Sequence, residues 1–161
     1  MTLSDDMVFY QPTPARHVFA MLARTGLDSG DVLVDLGSGL GHVPLLAGVC
    51  TGARAIGVEL EPAYVACARQ AAAEHGLSRV EFLQQDARIA DLSSGTVFHL
   101  YTPFRGAIMR EVLDRLREET ARRDIRVCTF GPCTSVVARE PWLSSSDALH
   151  TDRIAVFHVT R

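Results

Sequence analysis

DLGSGLG, residues 35–41, sets an acid and three glycines directly behind a short apolar run, Val32, Leu33 and Val34. That run reads as a strand over residues 32–35, and the apolar stretch over 42–49 reads as a short helix. A strand that turns through glycines into a helix brings the backbone close to a ligand. A dinucleotide fingerprint would read G-x-G-x-x-G, whereas this turn reads G-x-G-x-G with an acid two residues ahead. An acid there repels a pyrophosphate; it attracts a cation or accepts hydrogen bonds from an ammonium group. The turn therefore argues against a nicotinamide dinucleotide and for a ligand without phosphate. With no ligand, it is a plain glycine turn between strand and helix.

Working outward, strand-like and helix-like segments alternate. Val18, Phe19, Leu22 and Ala23 form a helical stripe over residues 15–25. RAIGVE, residues 54–59, is a second strand, and Pro62 opens a helix that stops at Gly76. Residues 80–84 and 96–101 read as strands three and four. Residues 105–123 read as an amphipathic helix with Ile108, Val112, Leu113 and Leu116 on one stripe. Its opposite face, with Glu111, Asp114, Arg115, Glu118 and Arg122, is expected to be solvated. Residues 125–130 and 154–159 are the last strands, and the Ser-, Pro- and Gly-rich stretch 131–152 between them has no clear period. Such alternation predicts one α/β domain with a mostly parallel sheet and ligands bound at the carboxyl ends of its strands. Residues 1–30 form an arm and helix ahead of a core over 31–161.

The 161 residues are 47% hydrophobic and carry a formal net charge of −3. That balance attracts neither nucleic acid nor an acidic membrane surface. All 16 basic side chains are arginine, a usage that fits a GC-rich bacterial coding sequence rather than a function. The four cysteines form no C-x-x-C pair and are expected to be buried free thiols. Neither a basic-then-apolar leader nor a membrane-length apolar run is visible, so a reducing cytoplasm is expected. The six histidines show no metal-ligand spacing, and no metal is expected.

Three acids follow three successive strands: Asp35, Glu59 and Asp86. A carboxylate after the second strand can take both hydroxyls of a ribose; one after the third can accept from an adenine amino group, with Ala87 donating beside it through its backbone. Glu61 is assigned to the helix start, where its charge suits the dipole. Each acid alone also reads as a polar strand end; the series points to a nucleoside-bearing ligand.

On these residues the chain resembles the class I S-adenosylmethionine-dependent methyltransferases. DLGSGLG is similar to their first motif, GVELEP to their ribose-binding acid and QQDA to their adenine-binding acid. The resemblance implies a Rossmann-like doubly wound sheet, mostly parallel, in the order 3-2-1-4-5-7-6 with an antiparallel C-terminal strand. It implies S-adenosylmethionine as cofactor and S-adenosylhomocysteine as product. Gly37, Ser38, Gly39 and Gly41 would let the backbone approach the methionine part, with Asp35 orienting that loop or receiving the amino group. Glu59 and Leu60 would meet the ribose, and Asp86 and Ala87 the adenine.

The segment Tyr10 to Pro14 resembles the Tyr-x-Pro-Thr/Ser segment of small bacterial relatives of the lysine N-methyltransferases of the ATP-synthase c-subunit type. That likeness implies that Tyr10 and Thr13 close over the cofactor; otherwise they belong to a Pro-rich arm packed on the domain. After strand four, Tyr101, Thr102, Pro103 and Phe104 stand where the transferred methyl should lie, Tyr101 toward the cofactor and the other three toward substrate. Nucleobase amino-methyltransferases carry Asp/Asn-Pro-Pro-Tyr/Phe here, and the missing carboxylate or amide argues against a nucleobase. His42 and His99 lie near enough to face the pocket, but no general base is identified. The expectation is methyl transfer to a protein lysine or a small molecule, with nucleic acid disfavoured and the oligomeric state open. The rival is a cofactor-binding module that needs a partner for its substrate site.

Overall fold

The computed structural model describes residues 11–101 and 104–161, so Tyr10, Thr102 and Pro103 lie outside the described residues. In chain order the elements are α1 (Ala15–Thr25), β1 (Val32–Leu36), α2 (His42–Cys50), β2 (Arg54–Glu59), α3 (Pro62–Glu74) and β3 (Val80–Gln84). They continue with β4 (Val97–Tyr101), α4 (Gly106–Glu119), β5 (Arg126–Phe130), α5 (Cys133–Val137), β6 (Leu143–Ser144) and β7 (Ala155–Val159). The strands form one seven-stranded sheet in the order β3-β2-β1-β4-β5-β7-β6. β1 to β5 pair in parallel, and β7 runs antiparallel to both β5 and β6. This is the expected Rossmann-like order.

Side-chain alternation along the strands divides the core in two. Val34, Leu36, Phe98, Leu100 and Val127 face Val112, Leu113 and Leu116 of α4 and Val137 of α5. Leu33, Ala55, Val97, Cys128 and Val156 face Val18 and Met21 of α1, Ala47 of α2 and Val65 and Ala68 of α3. Helices therefore cover both faces of a buried parallel sheet, as such sheets require.

β6 is the strand that no sequence signal located. It is two residues long, and it pairs Leu143 with Val159 and Ser144 with His158. The thiol expectation holds for Cys128 and Cys133 but not for Cys50 and Cys67, which are exposed. Cys50 ends α2, and Cys67 falls off the inward stripe of α3, which is Val65, Ala68 and Ala72. The charged face of α4 is not wholly solvated either. Arg115 donates to the carbonyls of Ala87 at 2.9 Å and Ala90 at 2.6 Å, and so ties the connection after β3 to the helix. Among the described residues no helix is long and apolar enough to cross a membrane.

Candidate active site

The glycine turn sits at the carboxyl end of β1. Gly37, Gly39 and Gly41 all have positive φ, at 80°, 54° and 86°, which side-chain-bearing residues rarely adopt. A Cβ on Gly41 would also lie 2.6 Å from the Phe82 ring. The turn folds onto β2: the N–H groups of Gly37 and Ser38 donate to the Val58 carbonyl at 2.9 and 3.0 Å. Gly39 N–H donates to Glu59 Oε2 at 2.8 Å, and Gly41 N–H to the Ser38 carbonyl at 2.9 Å. A phosphate-binding glycine loop points its N–H groups at the ligand. Here four of them have protein acceptors, and the penultimate side chain of the strand is a carboxylate.

That carboxylate is Asp35, 4% exposed and aligned across the sheet with His99 of β4. His99 Nδ1 lies 2.8 Å from Asp35 Oδ1. His99 Nε2 and Ser38 Oγ are buried side-chain atoms without a hydrogen-bond partner among the described residues. His99, Ser38 and Asp35 all border one cleft over the strand ends.

Glu59 closes β2 and orders the backbone around it. Its Oε1 accepts from Leu60 N–H at 2.8 Å and Glu61 N–H at 2.9 Å, while Oε2 takes Gly39. A carboxylate has about four acceptor positions, so roughly one is left for a ligand hydroxyl. Glu61 caps α3 as expected, accepting from Ala63 N–H at 3.2 Å, with Pro62 as the first helical residue. Asp86, beyond β3, is gripped by Arg88, whose Nη2 is 2.7 Å from Oδ2 and whose Nε is 3.1 Å from Oδ1. The Arg88 hydrogen bonds hold its carboxyl below the usual range, although partial burial opposes them.

The far wall comes from β4, β5 and the N-terminal arm. Tyr101 packs against Phe130 with ring centroids 4.7 Å apart, and the His17 ring of α1 lies 4.3 Å from the same Phe130 ring. The Tyr101 hydroxyl donates to Gln11 Oε1 at 3.3 Å, which ties the arm to the sheet. Thr13 is buried beside it and borders the same cleft. The cleft measures about 1430 Å³. A drug-sized ligand needs about 300–1,000 Å³, so there is room for a nucleoside cofactor and part of an acceptor.

Of the residues expected at the site, Thr13, Asp35, Gly37, Ser38, Glu59 and Leu60 border the cleft. So do Asp86, Ala87, Tyr101 and Phe104. Gly39 and Gly41 are not on its wall; they shape the turn from behind. Phe104 is 4% exposed and belongs to the core on the α4 side, so it is a buried residue of the cleft wall. Gln11, Arg88 and the aromatic cluster at Phe130 were not anticipated. Gln11 finds its partner 90 residues away, and Phe130 on β5 meets His17 on α1 and Tyr101 on the neighbouring β4, contacts beyond any local period; Arg88 reaches Asp86 only two residues back, a side-chain contact that no periodicity marks.

The sheet order, the antiparallel last strand and the acid–glycine turn define the class of S-adenosylmethionine-dependent methyltransferases. Residues 27–121 match the family model described as methyltransferase domain. The match spans more than half of the chain, and the protein belongs to that family. Among solved structures, an RNA methyltransferase from Salinibacter ruber in complex with S-adenosyl-L-homocysteine is 30% identical, with a TM-score of 0.74 over 92% of each chain. TrmN from Thermus thermophilus is 22% identical, with a TM-score of 0.65 over 89% of this chain and 48% of that one. Geranyl diphosphate C-methyltransferase from Streptomyces coelicolor A3(2), also in complex with S-adenosyl-L-homocysteine, is 20% identical, with a TM-score of 0.60 over 71% and 42%. The chain thus spans less than half the length of the last two. No curated protein matches the chain. The cofactor is S-adenosylmethionine, and the residues present fit it: a carboxylate for a cationic head, two buried polar atoms without partners, and acids at the ribose and adenine positions. None of these similarities points to the ATP-synthase c-subunit lysine methyltransferases.

Proposed function

We propose that the protein methylates a nitrogen on a protein side chain, lysine first, presented at the Tyr101–Phe130 side of the cleft. The observation that carries this reading is the chemistry of that wall. It is built from the rings of Tyr101 and Phe130, and neither an aspartate nor an asparagine stands at Tyr101 to receive an exocyclic base amine. Aromatic faces suit an aliphatic stem that ends in a developing methylammonium. The net charge of −3 and the likeness of the Tyr10 to Pro14 segment to lysine-methylating proteins favour the same acceptor.

Bound S-adenosylmethionine supplies a methyl carbon already made electrophilic by its sulfonium. The chain's residues then have to align and to exclude water. Asp35 holds the methionine end at the middle of the sheet, Glu59 takes the ribose with its remaining acceptor position, and Asp86 with Ala87 meets the adenine. Thr13 and Gln11 close the arm over the cleft. Transfer is an in-line displacement in which the acceptor's lone pair forms the new C–N bond as the C–S bond breaks. A lysine must shed its proton first, so the rate rises with pH toward the amine's ordinary value of about 10.4.

A second reading, methylation of RNA, is favoured by one observation: the Salinibacter ruber protein is described as an RNA methyltransferase. A labelled-methyl assay against protein, RNA and small-molecule fractions decides between them. Label in methyl-lysine after hydrolysis, rising with pH, is expected; label in RNA with none in methyl-lysine overturns the choice of acceptor. Cofactor binding with no transfer to any fraction would favour a binding module.

A further inference from the structure

A histidine inside the fourth strand has no part in the motifs that identify the family, yet it is the side-chain partner of the acid at the end of the first. β1 and β4 are adjacent and parallel, and Asp35 and His99 face each other in register. In the same row Gly57 of β2 lies on one side and Cys128 of β5 on the other. Gly57 has no side chain, and its missing Cβ would meet Ser38 Oγ at 2.6 Å. Cys128 is neutral, because burial pushes its thiol up to about 12. Neither neighbour in the row brings a charge to the pair.

The hydrogen bond assigns one ring nitrogen of the imidazole as the donor. An ionised carboxylate only accepts, so Nδ1 carries the proton that reaches Asp35 Oδ1 at 2.8 Å. The other ring nitrogen, Nε2, is buried and has no hydrogen-bond partner among the described residues. A bare acceptor there costs its desolvation; the N–H of an imidazolium there would be an unmatched charged donor, which costs more, and would also cancel the carboxylate's charge. The geometry therefore favours a neutral ring that orients a carboxylate without neutralising it. A lysine or arginine in this position would orient Asp35 equally well and abolish its attraction for a cation.

From this we infer that His99 is a positioning residue for the amino-acid end of the cofactor. By donating Nδ1–H to Oδ1 it holds the Asp35 carboxylate against the cleft wall, with its charge intact, to receive the cofactor's ammonium group. This rests on S-adenosylmethionine being the cofactor and is independent of which acceptor is methylated.

The test is calorimetric binding, with no acceptor present. Two ligands are compared: S-adenosylhomocysteine, and methylthioadenosine, which shares the nucleoside and sulfur but lacks the amino-acid end. His99→Leu is expected to weaken S-adenosylhomocysteine about tenfold or more while methylthioadenosine binds as to the wild type. His99→Asn, whose amide N–H can replace Nδ1–H, is expected to restore most of that loss. In an Asp35→Asn background, His99→Leu is expected to add less than about twofold, because the two residues act as one unit. Equal weakening of both ligands would mean a purely structural role and overturn the inference, as would an Asn variant no better than Leu, or additive losses. Failure of S-adenosylhomocysteine to bind the wild type would instead remove the cofactor reading on which the inference stands.

Discussion

Asp35 and Glu59 border the same cleft, but their surroundings assign them different work. Asp35 is buried and has His99 as its hydrogen-bond partner, so its second oxygen and its charge remain for a ligand. Glu59 accepts from three backbone N–H groups, those of Gly39, Leu60 and Glu61, and so orders both the glycine turn and the start of α3. Glu59→Ala should therefore do two things at once. It should weaken S-adenosylhomocysteine by about 1.5–3 kcal/mol, the range for a hydrogen bond to a charged group, and lower the melting temperature of the free protein. Glu61→Ala removes only a helix cap, with a stability loss of about 0.5–2 kcal/mol and unchanged cofactor affinity. Calorimetry and thermal unfolding on the two variants measure both effects. A larger binding loss for Glu61→Ala would mean that the roles are reversed.

Among the elements, α4 fastens the molecule's second layer through its arginines. Arg110 reaches Glu140 with contacts of 2.5 and 3.1 Å, and the Trp142 indole N–H donates to the same carboxylate at 2.7 Å. The Arg110 hydrogen bond holds the Glu140 carboxyl below its ordinary range, desolvation opposes it, and the Trp142 bond adds to the lowering. A carboxylate whose folded value is depressed stabilises the fold above its unfolded value and loses that contribution as pH falls through the folded one. Arg110 is half exposed, so the contribution is screened to about 1 kcal/mol. Glu140→Gln should be less stable than the wild type at neutral pH by about that amount, and the difference should shrink as pH falls below the usual glutamate range. Urea unfolding at a series of pH values checks it; a difference that grows on acidification would contradict it. These contacts were not legible in the sequence, which marks α4 by its apolar stripe and leaves its charged face looking solvated. Arg115 and Arg110 find partners 25 to 30 residues away, and only the packing of α4 on the sheet reveals them. The same reasoning separates β1, readable from a local apolar run, from β6, whose two residues exist as a strand through pairing with β7.

At the scale of the whole molecule, the strand order and the series of acids at the carboxyl edge were readable because each rests on short local signals repeated in order: an apolar run, then a turn with an acid. The Asp35–His99 pair was not, because it joins residues 64 apart through the β1–β4 crossover. Nor could the sequence say that the turn's N–H groups fold back on β2, which decides the ligand's charge more firmly than the glycine spacing does. This edge of the sheet is thus built to bind a nucleoside with a cationic amino-acid head and no phosphate. Calorimetric titration of the purified protein with S-adenosylhomocysteine and, separately, with NADH tests it most directly. Saturable binding of S-adenosylhomocysteine with no heat from NADH is the predicted result; binding of NADH with no response to S-adenosylhomocysteine would contradict it.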